Sequence, residues 1–457
     1  MSAILEDRHP LNQVLALRGW TSEFCLRRVA AKHKDLGYGA MAVRKEKVSR
    51  WTRPDSPQTP NVSTQLAMAD VLGIDSREVY ARPWPHWLLL ALQDDSTIWE
   101  SPWTPAGTIQ ALEDAGGLVE LDRRGFLIAT TATVAAVLAQ WATAEPAPAR
   151  SFGGRQVGAA VADRFDSRLN ELRHLDDDLG SDHVYDAARA ESRLITRLLR
   201  DNTYTEATGR RLHACAAEAS RLAGWCAFDS GQSAAAEKHF VASLRAAAGS
   251  SDRTAGATTL AFWANVRYSS QRPDPRGALD LVDGALAQRA DITSPRVLTM
   301  LHIRKARAHS IAQEPTAAYR AIDDALAAYG QGTSPDDDLQ SMYWITTGEV
   351  FQAAASAALS LGDPQRALTY FSAASTHHDP YDPRKEPRGT AIYLARESGA
   401  HLALGDLDGA VEAAQRSVDL MGGVSSARGS ETLTGLRSEL NRHRAAPVVK
   451  NFLDETA

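Results

Sequence analysis

Gly362-Asp363-Pro364-Gln365-Arg366-Ala367 is one of five related segments in the second half of the chain, each a short run of turn-forming residues followed by an alanine. The five alanines are Ala236, Ala278, Ala318, Ala367 and Ala410, which are spaced by 42, 40, 49 and 43 residues. Seven residues beyond each alanine stands a second small residue, namely Ser243, Ala285, Ala325, Ala374 and Ser417. A turn followed by a helix with small residues two turns apart is typical of stacked helix–turn–helix repeats.

This repeat predicts a tetratricopeptide-like α-solenoid over residues 151–457. Small side chains allow neighbouring helices to approach closely, and each unit buries its apolar face only against the next unit. The spacing exceeds the roughly 34 residues of a tetratricopeptide unit, so we expect lengthened helices or loops. A generic alanine-rich helical bundle is the alternative interpretation.

Composition agrees with an all-α protein. The 457 residues are 44% hydrophobic and 23% charged, values typical of soluble globular proteins of two or three domains. Alanine is abundant and aromatic residues make up only 7%, which favours helices over sheets. Cys25, Cys215 and Cys226 form neither a disulfide framework nor a cysteine zinc site, and with no secretion signal at the N-terminus we expect a cytoplasmic protein.

The net charge of −6 conceals a basic N-terminal zone. Residues 1–82 contain 13 Lys and Arg against nine Asp and Glu, whereas the rest of the chain contains 37 against 47. Residues 27–53 alone hold nine basic and two acidic residues. A basic head on an acidic body indicates a polyanionic partner for the head only.

Short helices are predicted throughout residues 1–82. Pro10 opens a helix ending at Leu17, and Thr21 is a candidate N-cap for a helix from Ser22 to about His33. Further helices are predicted over Val43–Trp51 and from Ser63 to Gly73. This order of short helices predicts a helix-turn-helix domain.

The helix over Val43–Trp51 has one apolar and one cationic edge. Val48 and Trp51 lie three residues apart and can face a core, while Arg44, Lys47 and Arg50 repeat at the same spacing on another face. Lys45, Ser49 and Arg53 flank that face, and Arg27, Arg28 and Lys32 lie on the preceding helix. We predict that the helix over Val43–Trp51 enters the major groove of double-stranded DNA and that the helix before it contacts the phosphates. A solvated basic face without a DNA partner is the alternative.

Several segments resemble the XRE-type helix-turn-helix regulators of actinobacteria, which carry a C-terminal tetratricopeptide-like region. They are residues 21–29 and 47–53 in the head, and 174–177, 222–225, 228–232, 426–429 and 447–452 in the body. The resemblance implies a homodimeric transcriptional regulator, a repressor of developmental or secondary-metabolism genes, with residues 44–53 as its DNA-reading element. A protein-interaction scaffold without sequence-specific DNA binding is the competing hypothesis.

Residues 83–150 are predicted to form a Trp-rich connector that contains an apolar helix over 125–144. Arg123-Arg124 precedes this uncharged stretch, whose alanine and threonine content is poorly suited to membrane insertion. We therefore expect a buried helix and regard a membrane as an improbable partner. A membrane-anchored sensor is the alternative.

The sequence lacks the common catalytic motifs, so it gives little support for an enzyme and implies no cofactor. His377-His378-Asp379 precedes Pro380 and is interpreted as a loop rather than a metal site. A peptide or protein effector is predicted to bind the concave face of the repeats. There Asn265 would pair with a peptide backbone, and Arg304 and Arg307 would hold a carboxylate.

Overall fold

A computed structural model describes most of the chain as helices joined by turns. The described residues are 9–17, 20–53, 58–72, 74, 76–89, 91, 98–99, 101–116, 131–147, 154–270, 273–332, 338–379, 386–421 and 426–456. Within these ranges the one β-type pairing is an isolated bridge between Gln156 and Thr203. The all-α prediction is confirmed at this level. The chain divides into two compact units, an N-terminal unit (Met1–Ser101 with Gly117–Thr133) and a C-terminal unit (Pro102–Gly116 with Val134–Ala457).

Short helices build the N-terminal unit. They are α1 (Pro10–Leu17), α2 (Ser22–Asp35), α3 (Glu46–Trp51), α4 (Val62–Leu72), α5 (Ser76–Ala81) and a 3-10 turn at His86–Leu89. Thr21 caps α2 as predicted, because its side-chain oxygen accepts a hydrogen bond from the Phe24 amide at 3.1 Å. The helix predicted from Val43 begins only at Glu46, where Lys45 precedes it without a side-chain capping bond.

One hydrophobic core holds these helices together. Leu26 of α2, Val48 and Trp51 of α3 and Met68 of α4 are buried in it, and Trp87 joins from beyond the predicted boundary at residue 82. The indole nitrogen of Trp87 donates a 3.0 Å hydrogen bond to the side chain of Gln65 on α4, so this buried polar group is satisfied. Residues after 82 therefore complete the core of the N-terminal unit.

The C-terminal unit begins with α6 (Pro105–Gly116) and α7 (Thr131–Thr143), the latter from Val134 onward. It continues with α8 (Ala160–Leu179), α9 (Ser181–Asp201), α10 (Glu206–Asp229), α11 (Ser233–Ser250), α12 (Arg253–Ser269), α13 (Pro275–Leu286), α14 (Pro295–Ile311) and α15 (Pro315–Tyr329). The remaining helices are α16 (Thr347–Ser360), α17 (Pro364–Thr376), α18 (Pro387–Ala403), α19 (Leu407–Met421), α20 (Ala427–Leu440) and α21 (Pro447–Glu455). Consecutive helices from α10 to α19 pack as adjacent pairs.

The repeated small residues lie where the helices of each pair meet. All five anchoring alanines and the five small residues seven positions further on are buried, on α11, α13, α15, α17 and α19. The hydroxyls of Ser243 and Ser417 each donate a 2.7 Å hydrogen bond to a backbone carbonyl of the paired helix, at Ala217 and Ala391. The repeat therefore marks close helix contacts in which a larger side chain has no room.

The predicted connector, residues 83–150, is divided between the two units. The guanidinium of Arg245 lies 4.8 Å from the Trp103 ring and donates to the Pro102 carbonyl, which joins the start of α6 to α11. Trp141 of α7 is buried, and a methyl group added to Gly256 of α12 would meet its ring at 2.6 Å. These aromatic contacts group α6 and most of α7 with the repeated helices.

The apolar stretch predicted over 125–144 is described only from residue 131. Its Val134 and Val137 are buried, whereas Ala135, Ala136 and Ala139 are exposed. Arg123-Arg124 and residues 125–130 lie outside the described residues. Among the helices that the structure describes, none has the length and hydropathy needed to cross a membrane.

Candidate functional site

The cationic edge of α3 is presented on the surface of the N-terminal unit. Val48 and Trp51 are 3% and 7% exposed and anchor the helix in the core. Arg44, Lys45, Ser49, Arg50 and Arg53 are exposed, and Lys47 is half-buried. Among the described residues, no carboxylate lies within ion-pair distance of the five cations. The edge is therefore available to phosphates or base edges, although Arg44 and Lys45 precede the helix and do not belong to its first turn.

The three predicted phosphate contacts on α2 have partners in their own unit. Arg27 pairs with Glu23 at 2.5 Å, and Lys32 pairs with Asp70 of α4 at 2.9 Å. The guanidinium of Arg28 lies 4.8 Å from the centre of the Trp20 ring. Exposed pairs of this kind contribute little to stability, so a phosphate can replace such a partner at small cost.

A cavity of about 430 Å³ in the C-terminal unit is the second candidate site. Its wall includes Asn265 of α12 and both Arg304 and Arg307 of α14, the three residues predicted to hold an effector. The structure thus places all three on one cavity. Its wall also holds polar residues that sequence reasoning missed, namely Arg173, Asp176, Asp177, Arg221, Tyr268, Tyr343, Glu349, Arg388, Tyr393, Arg396 and Arg428.

Part of the cavity wall belongs to a buried ionic network that joins α8 and α10 to α18 and α20. Arg388 of α18 donates to Asp176 of α8 at 2.8 Å and to Asp229 at the end of α10 at 3.3 Å. Arg428 of α20 donates to the other oxygen of Asp229 at 3.0 Å. Burial acts to raise the pKa of Asp176, but the ion pair with Arg388 outweighs burial and holds this pKa below its ordinary value. We name Asp176, Asp229, Arg388 and Arg428 the closing network.

The cavity wall also contains arginines that bind neutral groups. Arg304 donates to the Tyr268 hydroxyl at 3.4 Å, and Arg307 donates to the Ser356 carbonyl at 2.6 Å. Arg396 of α18 donates to the Ser356 hydroxyl at 3.0 Å. Burial, together with the nearby positive charge of Arg396, lowers the pKa of Arg307 to about 10. We name Arg304, Arg307 and Arg396 the arginine cluster.

Glu349 of α16 is the carboxylate that faces the arginine cluster. It accepts a 2.8 Å hydrogen bond from the Tyr393 hydroxyl, while its second oxygen is buried without a described hydrogen-bond partner. Burial raises the pKa of Glu349 to about 7, even though the charge of Arg304 lowers it. Near neutral pH this carboxyl therefore offsets at most part of the positive charge around it.

Aromatic rings form the apolar part of the cavity wall. Trp225 and Phe262 meet edge to face with ring centres 5.3 Å apart, and Phe262 meets Trp344 at 6.1 Å. The guanidinium of Arg221 lies 4.3 Å from the Phe262 ring. Rings and guanidinium groups on one wall suit a ligand with both an anionic and a flat apolar part.

The segment His377-His378-Asp379 follows α17, and the carboxylate of Asp379 accepts hydrogen bonds from neighbouring elements. Asp379 accepts hydrogen bonds from the Tyr329 hydroxyl at 2.6 Å and from the Thr347 amide at 3.1 Å. Across the described ranges, no group of three or more His, Cys, Asp or Glu side chains has an arrangement suited to a metal ion.

Comparison with known proteins adds no family assignment. No protein-family model matches the chain, and a search of curated proteins finds no significant match.

Proposed function

We propose that this chain is a DNA-binding transcriptional regulator of the XRE type. In this proposal the N-terminal unit is a helix-turn-helix domain. The segment 44–53, which contains α3, reads DNA with Arg44, Lys45, Lys47, Ser49, Arg50 and Arg53. The helical pairs form a tetratricopeptide-like region that senses a peptide or protein effector, and two copies act together as a cytoplasmic repressor.

The observation that carries the proposal is the two-edged placement of α3. Its apolar edge is anchored in the core by Val48 and Trp51, which determines which edge of the helix faces outward. Its other edge carries cations that lack carboxylate partners among the described residues and face the surface. A short, rigid, cationic helix after a capped helix is the arrangement with which helix-turn-helix domains enter the major groove.

The proposal includes dimerisation and a cytoplasmic location. A single small helix-turn-helix buries too little DNA surface for strong specificity, and two half-sites remedy this deficit. The three cysteines are buried as free thiols, which favours a reducing compartment.

In vitro selection from a random DNA pool, followed by gel shift of the selected sequence, tests the proposal. The triple variant R44Q/K47Q/R50Q should lose the shift, since it removes both base-reading and phosphate-binding groups. The matched control R164Q/R197Q/R320Q removes the same charge from exposed positions of the C-terminal unit and should shift like the wild type. For the wild type, log K should fall steeply with log salt, with a slope of about −0.9 per phosphate contacted.

Failure to select any sequence would refute the proposal and favour the protein-interaction scaffold. A triple variant that shifts DNA normally while keeping its helical content would show that α3 is not the reader.

A further inference from the structure

The arginine cluster has more positive charge than the surrounding residues neutralise. Arg304 is 7% exposed and Arg307 is 9% exposed, and the Nε atom of Arg304 is buried without a described hydrogen-bond partner. The described donors and acceptors around the cluster are hydroxyls, a carbonyl and Glu349. Three guanidinium groups against one carboxyl leave an excess of about two positive charges, and buried charge of this kind is stable only when an opposite charge compensates it.

Nearby carboxylates are already committed to other arginines. Asp176 and Asp229 bind Arg388 and Arg428 in the closing network. Glu218 binds both Arg173 and Arg221 at 2.7 Å. Asp177, Glu386 and Glu431 also line the cavity, but no ion pair among the described residues joins a carboxylate to Arg304, Arg307 or Arg396, so a bound anion can supply negative charge at the cluster.

We infer that the arginine cluster is an oxyanion site that holds a carboxylate or phosphoryl group of a small ligand inside the cavity. The guanidinium groups of Arg304, Arg307 and Arg396 supply planar pairs of N–H donors that match the oxygens of either group. Asn265 lies on the same wall with its side-chain oxygen accepting from the Ser269 hydroxyl, which leaves its amide N–H group to donate to the ligand. Trp225, Phe262 and Trp344 contact the apolar part of the ligand.

Cavity size limits the ligand to a small molecule or a few residues of peptide. A volume of about 430 Å³ lies within the range of roughly 300–1,000 Å³ found for small-molecule pockets. A folded protein domain does not fit such a space. As the effector site of a regulator this inference rests on the proposed function, but binding of the anion itself needs no DNA.

Titration calorimetry of the full chain with matched probes tests the site and separates its two chemical sources. The first pair is the tetrapeptide Ala-Ala-Phe-Phe, acetylated at its N-terminus, as the free acid and as the C-terminal amide. The second pair is AMP and adenosine, and inorganic phosphate is titrated as the bare oxyanion. We expect phosphate to bind, and the anionic member of at least one pair to bind tenfold or more tightly than its neutral counterpart, since hydrogen bonds to charged groups are the stronger ones.

Two variants assign the binding to the cluster. R307Q removes a buried guanidinium group. R396Q removes a half-buried guanidinium group, whose loss disturbs the core less. Each should weaken binding of the anionic probe tenfold or more and leave the neutral probe unchanged, and R396K should recover part of the loss. Urea unfolding of each variant shows whether it is folded.

The inference is overturned if wild-type protein binds neither phosphate nor an anionic probe at 10 mM, or if R396Q, shown to be folded, binds the anionic probe as the wild type does. Gel shifts on the same samples separate this result from the proposed function. Anion binding without selected DNA would sustain the oxyanion site and refute the regulator, and selected DNA without anion binding would do the reverse.

Discussion

Arg388→Met removes the cation at the centre of the closing network and should markedly destabilise the C-terminal unit. Arg388 is 5% exposed and contacts Asp176 at 2.8 Å and Asp229 at 3.3 Å. After the replacement, Arg428 still binds Asp229 at 3.0 Å, whereas Asp176, and Asp177 at 3.8 Å, lose the cation that faces them. Loss of one partner from a buried pair costs about 3–5 kcal/mol, and the retained contact places the expected loss near 3 kcal/mol.

Urea unfolding at pH 7, followed by circular dichroism, measures this loss. The same replacement at Arg200, whose partners Glu113 and Asp201 lie at the surface, should leave the urea midpoint close to the wild-type value. Adding D176N to the R388M variant should recover part of the stability, because the uncompensated charge is then gone. A loss below about 1 kcal/mol for R388M, or no recovery in the double variant, would show that the network does not hold α8 and α10 to α18 and α20.

Four further replacements test the packing and the buried titratable groups. Gly256→Ala should destabilise the protein by about 1–3 kcal/mol, because the added methyl group would meet the Trp141 ring at 2.6 Å. As a control, Gly435→Ala adds a methyl group that meets open space on a helix, and it should stabilise the protein by about 0.4–1 kcal/mol. The urea midpoints of the two variants measure the difference. Burial lowers the pKa of His213 to about 4, so between pH 6.5 and 4 the unfolded chain binds a proton that the folded chain does not. The free energy of unfolding therefore falls as the pH drops through that range. H213L should flatten this fall, and a pH profile that H213L leaves unchanged would contradict the prediction. Burial raises the pKa of Glu349 to about 7, so between pH 4.5 and 7 the folded chain retains a proton that the unfolded chain has lost. The free energy of unfolding therefore falls as the pH rises through that range. E349Q should abolish this loss in unfolding curves measured across the same range.

The helical pairs were predictable because their packing imposes a local pattern. Close approach of paired helices requires small side chains two turns apart, and this requirement is visible as the spacing of Ala236 and Ser243 or of Ala410 and Ser417. The N-cap at Thr21 was equally local, since its hydroxyl oxygen accepts from an amide only three residues further along the chain. Such signals lie within a few residues of the structure they produce.

The start of α3 was predicted less well because no capping side chain marks it. The helix was expected from Val43, but Lys45 provides no side-chain cap, and the Arg44 carbonyl accepts the first turn-like hydrogen bond from Lys47 at 2.9 Å. The three-residue spacing of Arg44, Lys47 and Arg50 therefore includes a residue that precedes the helix. Arg44 thus belongs to the approach to α3 rather than to its first turn.

The cavity was predicted only in part. Asn265, Arg304 and Arg307 were recognisable because they are polar residues on helices of the repeated unit. Arg388 and Asp176 are 212 residues apart, and no local pattern relates them. Only the return of α18 to α8 brings their charges together, so this half of the site required the three-dimensional fold.

Genome-wide DNA immunoprecipitation of the tagged full chain, in parallel with its R44Q/K47Q/R50Q variant, tests the central claim most directly. We expect the wild type to enrich a limited set of promoters that share a two-fold symmetric motif, and the variant to lose that enrichment at equal protein level. Equal enrichment by the two proteins, or no enriched site for the wild type, would contradict the assignment of α3 as a DNA-reading helix.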